Sequence, residues 1–483
     1  VKLAEPLWTH VEARLFADLT SDAVWFADGI QIDSREVLPG DLFVALPGSQ
    51  ANGHDFVNDA IKRGAIAAVV EAGATGFDTD NKRLLKTDDT KVALNRLAKQ
   101  ARSRMLGPVI AVTGSAGKTS VVQALASAIG PGADVHTSIR SFNNQVGVPL
   151  SMARMPRGTR FGIFEIGMSN PGEIAPLAEM VAPDVALVTT ISSAHQANFS
   201  DLAAIAAEKS AIFGSLKKGG TAIIGIDHPC ASLLIKKAKD LQLKTVTVSA
   251  ADTSADVHVV KVSMQDNCSC VIADVEGVRI SYKINEPGEH WILNSLLVLA
   301  AVRAAGSDLG LAGLSLATWS AGSGRGRTSE IERGFGHFRL IDESYNANPA
   351  SLKAGLACLA SRKAVGQKYA VLADMQELGS NALSLHMDCI DDLKASGVCK
   401  IFAVGEMMTA LAEKAGMTVE SFDQVDDALH QSVERQLNSG DVLYIKGANS
   451  WGLGKLVDTL LHWQDGRVDR RRSISNGNIQ AAE

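Results

Sequence analysis

A lysine and a threonine close a glycine turn at Gly114-Ser115-Ala116-Gly117-Lys118-Thr119-Ser120, straight after the apolar run Val109-Ile110-Ala111-Val112-Thr113 and before the helical segment Val121 to Ile129. That order suits phosphate chemistry. Glycines let backbone N–H groups approach phosphate oxygens, a helix N-terminus adds partial positive charge, Lys118 neutralises phosphate and the Thr119 hydroxyl can bind Mg²⁺. The common G-x-x-x-x-G-K-[ST] spacing would put its first glycine at Val112, so the plain alternative is a tight strand-to-helix turn carrying a chance Lys-Thr. The buried strand before the turn and the helix after it favour phosphate binding.

Further polar residues stand at the ends of apolar runs. Glu165 ends Phe161-Gly162-Ile163-Phe164, and His195 follows Val185-Ala186-Leu187-Val188 and the polar Thr189-Thr190-Ile191-Ser192-Ser193-Ala194. Lys209 lies on an alanine-rich helix, His290 and Asn294 open another, Arg325 sits in Gly324-Arg325-Gly326, and Glu343, Asn346 and Asn348 precede Pro349. Each has an ordinary reading alone: a surface carboxylate, a hydrogen-bonded loop histidine, a solvated lysine, an ion-paired arginine, turn asparagines.

The elements that must position these residues read as α/β throughout. With 483 residues, about three domains of ordinary size are expected. Residues 1–105 mix short strands, such as Ile30 to Asp33 and Asp41 to Leu46, with a helical stretch from Asp55 to Arg63. Residues 106–324 carry near-continuous apolar strands, as in a mostly parallel sheet buried on both faces, plus a small antiparallel insert between about 245 and 285. Residues 325–466, beyond a hinge at Ala321 to Gly326, alternate strands at 338–342, 369–373, 400–404 and 441–445 with helices, as in a doubly wound domain. Residues 467–483 hold four arginines without apolar periodicity and read as a flexible tail.

Composition excludes several classes. Apolar residues make up 46% and charged residues 21%, and a net charge of −6 gives no positive field for nucleic acid. No uncharged apolar span is long enough for a membrane, and Lys2, Glu5, Glu12 and Arg14 do not fit a secretory signal, so a cytoplasmic protein is expected. The six cysteines, all from Cys230 onward, form no C-x-x-C pair and are expected to be reduced and buried, with Cys268 and Cys270 on one side of a strand.

The phosphate turn is similar to the nucleotide loop of the Mur ligase family, the ATP-dependent peptide-bond-forming enzymes of peptidoglycan precursor and cell-wall synthesis. Other segments resemble the family in its own order: Ser141 to Leu150 with Asn143 and Asn144, Glu165-Ile166-Gly167-Met168, Thr189 to His195, Glu208-Lys209-Ser210-Ala211-Ile212, Gly288 to Asn294, Gly324-Arg325-Gly326, Asp342 to Pro349 and Leu443 to Gly447. Within the family, Asp342 to Pro349 with its Ser344-Tyr345-Asn346-Ala347-Asn348-Pro349 stretch, Val371 to Gly379 and His386 resemble the member that adds D-alanyl-D-alanine to UDP-N-acetylmuramoyl-tripeptide. The D-N-P-R stretch of the diaminopimelate- or lysine-adding relative is absent. Ile32 to Arg35, Pro39 to Leu46 and Gly53 to Phe56 fit both members, and Glu343, Trp291, Ala211 and Ala448-Asn449-Ser450 depart from the family pattern.

The resemblance implies ATP and Mg²⁺ as cofactors, an acyl-phosphate intermediate, and Lys118, Glu165, His195 and Lys209 as catalytic residues. Thr119 and Glu165 would hold one Mg²⁺, and His195 with a carbamate on Lys209 a second. Gly114 to Ser120, His290, Asn294, Arg325 and Glu343 would bind ATP; Ser34, Arg35, Asn143, Asn144, Asn346 and Asn348 would bind the other substrates. A monomer without nucleic-acid or membrane partners is expected. The alternatives are the diaminopimelate- or lysine-adding relative and a P-loop protein that binds ATP without catalysis.

Overall fold

The computed structural model describes residues 5–462, apart from 18, 20–22, 49–50, 131–133, 139–140, 193–197 and 335. The expected tail from 467 and His195 therefore lie outside the described residues.

Alternation along the central strands explains the layering. Val109, Ala111, Phe164, Ala186 and Val188 enter one apolar core, whereas Ile110, Val112, Ile163, Val185 and Leu187 enter another on the opposite face. Successive side chains point to opposite faces, so a strand apolar at every position needs cover on both. The helices Thr90–Ser103, Ile174–Val181 and Leu202–Ser210 supply one layer, and Lys118–Ile129 and Glu289–Ala304 the other.

This nine-stranded sheet runs in space Val135–Thr137, Phe161–Glu165, Val109–Thr113, Val185–Val188, Thr221–Gly225, Lys244–Ser249, then Val257–Met264, Ser269–Val275 and Val278–Ile284. All neighbours are parallel up to Val257–Met264, and the last two pairings are antiparallel. The antiparallel residues thus continue the central sheet at its edge. Val109–Thr113 is the switch point: the next two strands lie on one side of it and the following strand on the other. Ligands of open α/β sheets gather outside the carboxyl ends of strands at such a point.

Besides the antiparallel pair Trp8–Thr9 and Phe26–Ala27, two smaller sheets flank this one. Gly29–Gln31, Asp41–Val44, Ala67–Glu71 and Leu84–Thr87 form a parallel sheet in chain order. Its Leu42, Val44 and Val69 share a continuous core with the central sheet. The third sheet orders Arg327–Arg333, Gly336–Glu343, Val442–Lys446, Lys368–Ala373, Lys400–Val404 and Thr418–Phe422, parallel except for its first pair. Alternate residues again feed two cores, Ala370 and Leu372 one and Tyr369 and Val371 the other, so it is covered on both faces.

The thiols correct one expectation. Only Cys389 is buried, while Cys270 and Cys399 are exposed. Cys268 precedes the strand Ser269–Val275 that contains Cys270, so the two do not share a strand face. Among the described residues no helix is long and apolar enough to cross a membrane.

Candidate functional site

The phosphate turn leaves the sheet at the switch point and is fixed by the neighbouring strand end. Ser115 N–H donates to Thr190 O at 2.8 Å, and the Thr189 hydroxyl donates to Ala116 O at 2.6 Å. Gly114 has φ +149°, and a Cβ there would lie 1.9 Å from Thr189 Oγ1, so no side chain fits. Lys118 begins the helix and folds back, its Nζ donating to Gly114 O at 2.8 Å. Burial pulls its pKa down, against the opposing pull of Glu165.

Beside the turn, the Thr119 hydroxyl donates to Glu165 Oε2 and Asn143 Nδ2 to Oε1, both at 2.7 Å. Glu165 is 1% exposed, and its N–H donates to Ser138 Oγ at 3.1 Å. A hydroxyl and a carboxylate in contact beside a phosphate loop are a donor set that Mg²⁺ accepts together with phosphate oxygens. Arg325 arrives from 184 residues away, donating from Nη2 to Ser141 Oγ at 2.8 Å. Its guanidinium also stacks 3.8 Å from the Tyr345 ring centre.

The third sheet closes the opposite wall. Glu343 Oε2 accepts from Lys446 Nζ at 2.8 Å and from Tyr444 Oη at 2.9 Å. Burial alone would raise the Glu343 pKa, but Lys446, His290 and Tyr444 together hold it below the usual carboxylate value. Lys446 also donates to Asn346 O at 3.1 Å. Asn348 is engaged locally as an N-cap, accepting from Ser351 N–H at 2.9 Å before Pro349–Ser361. Asn144 likewise accepts from Gly147 N–H at 2.8 Å at the start of Gly147–Ala153. Burial lowers the His290 pKa, and its ring lies 5.2 Å from Trp291. Trp291 itself is 5% exposed and edge-on to Trp319, an apolar core position.

These groups face one cleft of about 980 Å³. Of the residues expected from sequence, Ser115 to Ser120, Asn143, Asn144, Glu165, His290, Asn294, Arg325, Glu343, Asn346 and Asn348 line it. Lys209 lies beneath, 1% exposed, and its Nζ has no hydrogen-bond partner among the described residues. Burial, and then the charge of Lys118, push its pKa well below that of an ordinary lysine. Ser34 and Arg35 are elsewhere, on a short turn of the first unit, where Arg35 pairs with Asp33 at 2.7 Å. That pairing holds the Asp33 carboxyl below its usual value.

Sequence reasoning did not single out Ser138, Ser141, Tyr345, Tyr444 or Lys446 as site residues. Tyr345 was legible as the neighbour of Asn346, and Tyr444 and Lys446 as a strand end. Ser141 was legible only as the first residue of the resembling segment Ser141 to Leu150, and Ser138 carries no local signal, since serine is common in loops.

Comparison with known proteins agrees with this geometry. Three family descriptions match in succession: "Mur ligase family, catalytic domain" over residues 27–106, "Mur ligase middle domain" over 112–302, and "Mur ligase, glutamate ligase domain" over 326–449. The chain is 31% identical over 438 residues to the UDP-N-acetylmuramoyl-tripeptide--D-alanyl-D-alanine ligase of Synechocystis sp., covering 90% of this chain and 92% of that one. It is 29% identical over 439 residues to the ligase of the same name from Bacillus subtilis, covering 90% and 93%. The crystal structure of MurF from Acinetobacter baumannii superposes with a TM-score of 0.82 at 25% identity, covering 95% of this chain and all of that one. MurF ligase from Thermotoga maritima, solved in complex with ADP, shares the fold with a TM-score of 0.74 at 22% identity, covering 90% and 97%.

Proposed function

Because this chain belongs to the Mur ligase family, we propose that it joins D-alanyl-D-alanine to UDP-N-acetylmuramoyl-tripeptide with ATP, in peptidoglycan precursor synthesis. The observation that carries this reading is the cleft, in which the phosphate turn with Lys118, Thr119 and Glu165 faces Glu343, Asn346 and Lys446 of the third sheet.

A carboxylate oxygen is a poor leaving group at neutral pH, so amide formation requires activation. Transfer of the γ-phosphoryl of ATP to the terminal carboxylate gives an acyl phosphate; the dipeptide amine attacks, and phosphate leaves a tetrahedral intermediate. Phosphoryl transfer depends on positioning and charge neutralisation, which suits a lysine, an arginine and backbone N–H groups without a nucleophile–base pair. Lys118 and the turn hold the β and γ phosphates, Arg325 the outer phosphate edge, and His290, Asn294 and Glu343 the nucleoside. Thr119 and Glu165 would hold Mg²⁺, which supplies charge neutralisation at those phosphates.

The unpartnered, buried amine of Lys209 fits carbamylation, because a neutral amine can add CO₂ whereas an ammonium cannot. The product is an anionic oxygen donor of the kind a hard divalent cation takes; His195 would be its companion ligand. Asn143, Asn144, Asn346 and Asn348 are assigned to the carboxylate and amine substrates, and Ser34 and Arg35 to the uridine diphosphate end. In the same reading, residues 1–105 bind the UDP substrate, 106–324 ATP, and 325–466 the amine, in a monomer.

The test is phosphate release with ATP, Mg²⁺ and UDP-N-acetylmuramoyl-tripeptide, comparing D-alanyl-D-alanine with diaminopimelate, lysine and other single amino acids. Release with the dipeptide alone is expected. Release with diaminopimelate or lysine would move the chain to the other branch, and ATP binding without release would point to a non-catalytic role.

A further inference from the structure

Lysine and arginine side chains enter the cleft at Lys91, Lys118, Arg325 and Lys446, and the last three already have work there. Lys118 belongs to the phosphate turn, Arg325 reaches Ser141, and Lys446 is paired with Glu343 at 2.8 Å. Lys91 stands in the first turn of the helix Thr90–Ser103, and its side chain is exposed. Its Nζ reaches Gln145 Oε1 at 3.4 Å, a long contact with a neutral group that cancels none of its charge. The Asp89 carboxylate is turned to the backbone, accepting from Lys91 N–H at 2.7 Å and Val92 N–H at 2.9 Å. Gln145 follows Asn143 and Asn144, and Asn143 donates to Glu165 at 2.7 Å, so Lys91 borders the asparagines assigned to substrate. A lysine in the first turn opposes the helix dipole, so helix stability does not account for it.

The helix is a fixed platform, since its Leu94, Leu97 and Ala101 sit in the core shared by the first unit and the central sheet. Just before it, Asp88 lines a second cavity of about 580 Å³, beyond the carboxyl ends of the strands Asp41–Val44, Ala67–Glu71 and Leu84–Thr87. Three residues of chain span at most about 11 Å. Asp88 to Lys91 is therefore the corner where this cavity and the cleft come together. The cavity is acidic: Asp55, Glu71 and Asp88 line it, and among the described residues no Lys or Arg does. On the same unit, the charge of Arg35 is offset by Asp33 at 2.7 Å. A diphosphate thus meets repulsion inside the cavity and an uncommitted cation at the corner. A substrate held by the first unit and reacting at the phosphate turn passes this corner, and in a UDP-sugar the diphosphate is the group next to the nucleoside.

We propose that Lys91 binds the diphosphate of the UDP substrate at the passage from the first unit to the cleft, and so sets affinity for that substrate. This rests on the ligase reading above. The diphosphate and the reacting carboxylate stand at opposite ends of the sugar peptide. The contact is therefore the same in ground state and transition state, and it lowers KM without changing kcat.

Steady-state kinetics at saturating ATP and D-alanyl-D-alanine test this. In Lys91→Met, KM for UDP-N-acetylmuramoyl-tripeptide should rise roughly tenfold, the scale of one hydrogen bond to a charged group, with kcat and KM for ATP within about twofold. The Ki of UDP as a competitor of that substrate should rise by the same factor, since UDP carries the diphosphate without the peptide. Added KCl should weaken substrate binding to the native chain more steeply than to Lys91→Met, because an exposed charge pair is screened. Lys91→Arg should recover most of the affinity, and Lys91→Met should melt no lower than the native chain, since the helix loses an unfavourable charge. Unchanged KM in Lys91→Met, a loss of kcat in its place, a raised KM with UDP inhibition absent or unchanged, or an equal salt dependence in both proteins would overturn the proposal. Native protein that releases no phosphate with any amine would instead overturn the ligase reading.

Discussion

Lys118 lines the cleft and Lys209 is buried outside its lining, so the two lysines have different surroundings. Lys118 is tethered to Gly114 O and flanked by Glu165 and Arg325, so its charge is aimed at the space above the phosphate turn. Lys118→Ala should cut hydroxamate formation by roughly 10²–10³-fold or more, the usual cost of removing a group aimed at developing charge; turnover near the native rate would remove it from the reaction. Lys209 is different because its amine is buried without a partner among the described residues. With a folded pKa well below the ordinary lysine value of 10.5, unfolding takes up a proton, so this residue makes stability rise with pH between the lowered value and 10.5. Lys209→Met should abolish turnover, flatten that dependence and melt at or above the native temperature at neutral pH. Bicarbonate should raise the melting temperature of the native chain and not of the variant, because only the native amine can bind CO₂. A variant that melts lower, or responds equally to bicarbonate, would contradict this. Lys118 could be read from seven consecutive residues, whereas nothing local to Lys209 distinguishes it from a solvated lysine; burial belongs to the folded chain.

At the scale of elements, the helix Pro349–Ser361 shows how packing reverses a local rule. Gly355 lies within it, and alanine there would normally stabilise the helix by about 1 kcal/mol. A Cβ at Gly355, however, would stand 1.9 Å from Tyr444 Oη and 2.9 Å from Glu343 Oε2. Gly355→Ala should therefore destabilise by about 1–3 kcal/mol in urea titration and raise KM for ATP, since the Tyr444–Glu343–Lys446 group must move. A more stable variant with unchanged KM would show that this wall yields freely. Four strands of the third sheet were legible because they are apolar at successive positions, and they fall within two residues of the expected limits, as Gly336–Glu343 for 338–342 and Val442–Lys446 for 441–445, whereas the more polar edge strands Arg327–Arg333 and Thr418–Phe422 were not expected. The pairing of Glu343 with Lys446 spans 103 residues. Sheet order decides it, and hydrophobic periodicity does not carry sheet order. The same distinction explains Asn348, where Asn-Pro announces a helix start but not that its cap also lines a cleft.

For the whole molecule, the cleft is bounded by two sheets joined through the segment around Gly324, and polar contacts cross it. Arg325 to Ser141 is one such contact, and Cys358 Sγ to Pro287 O, at 3.2 Å, is another. A volume of about 980 Å³ leaves the phosphate turn open to water, whereas an acyl phosphate survives only where water is excluded. In the proposed reading, bound ATP and UDP substrate would draw the two walls together, the phosphates meeting Lys118 from the central sheet and Arg325 from the third unit, and the nucleoside meeting Glu343 of the third unit. The third unit should therefore rotate toward the central sheet about the segment near Gly324. Small-angle scattering should show a smaller radius of gyration with a non-hydrolysable ATP analogue plus UDP-N-acetylmuramoyl-tripeptide than with either alone. Arg325→Ala should weaken that compaction, since it removes the side chain that reaches across to Ser141. Identical dimensions in all four states of the native chain would mean that the cleft works open, and that water is excluded by the substrates themselves.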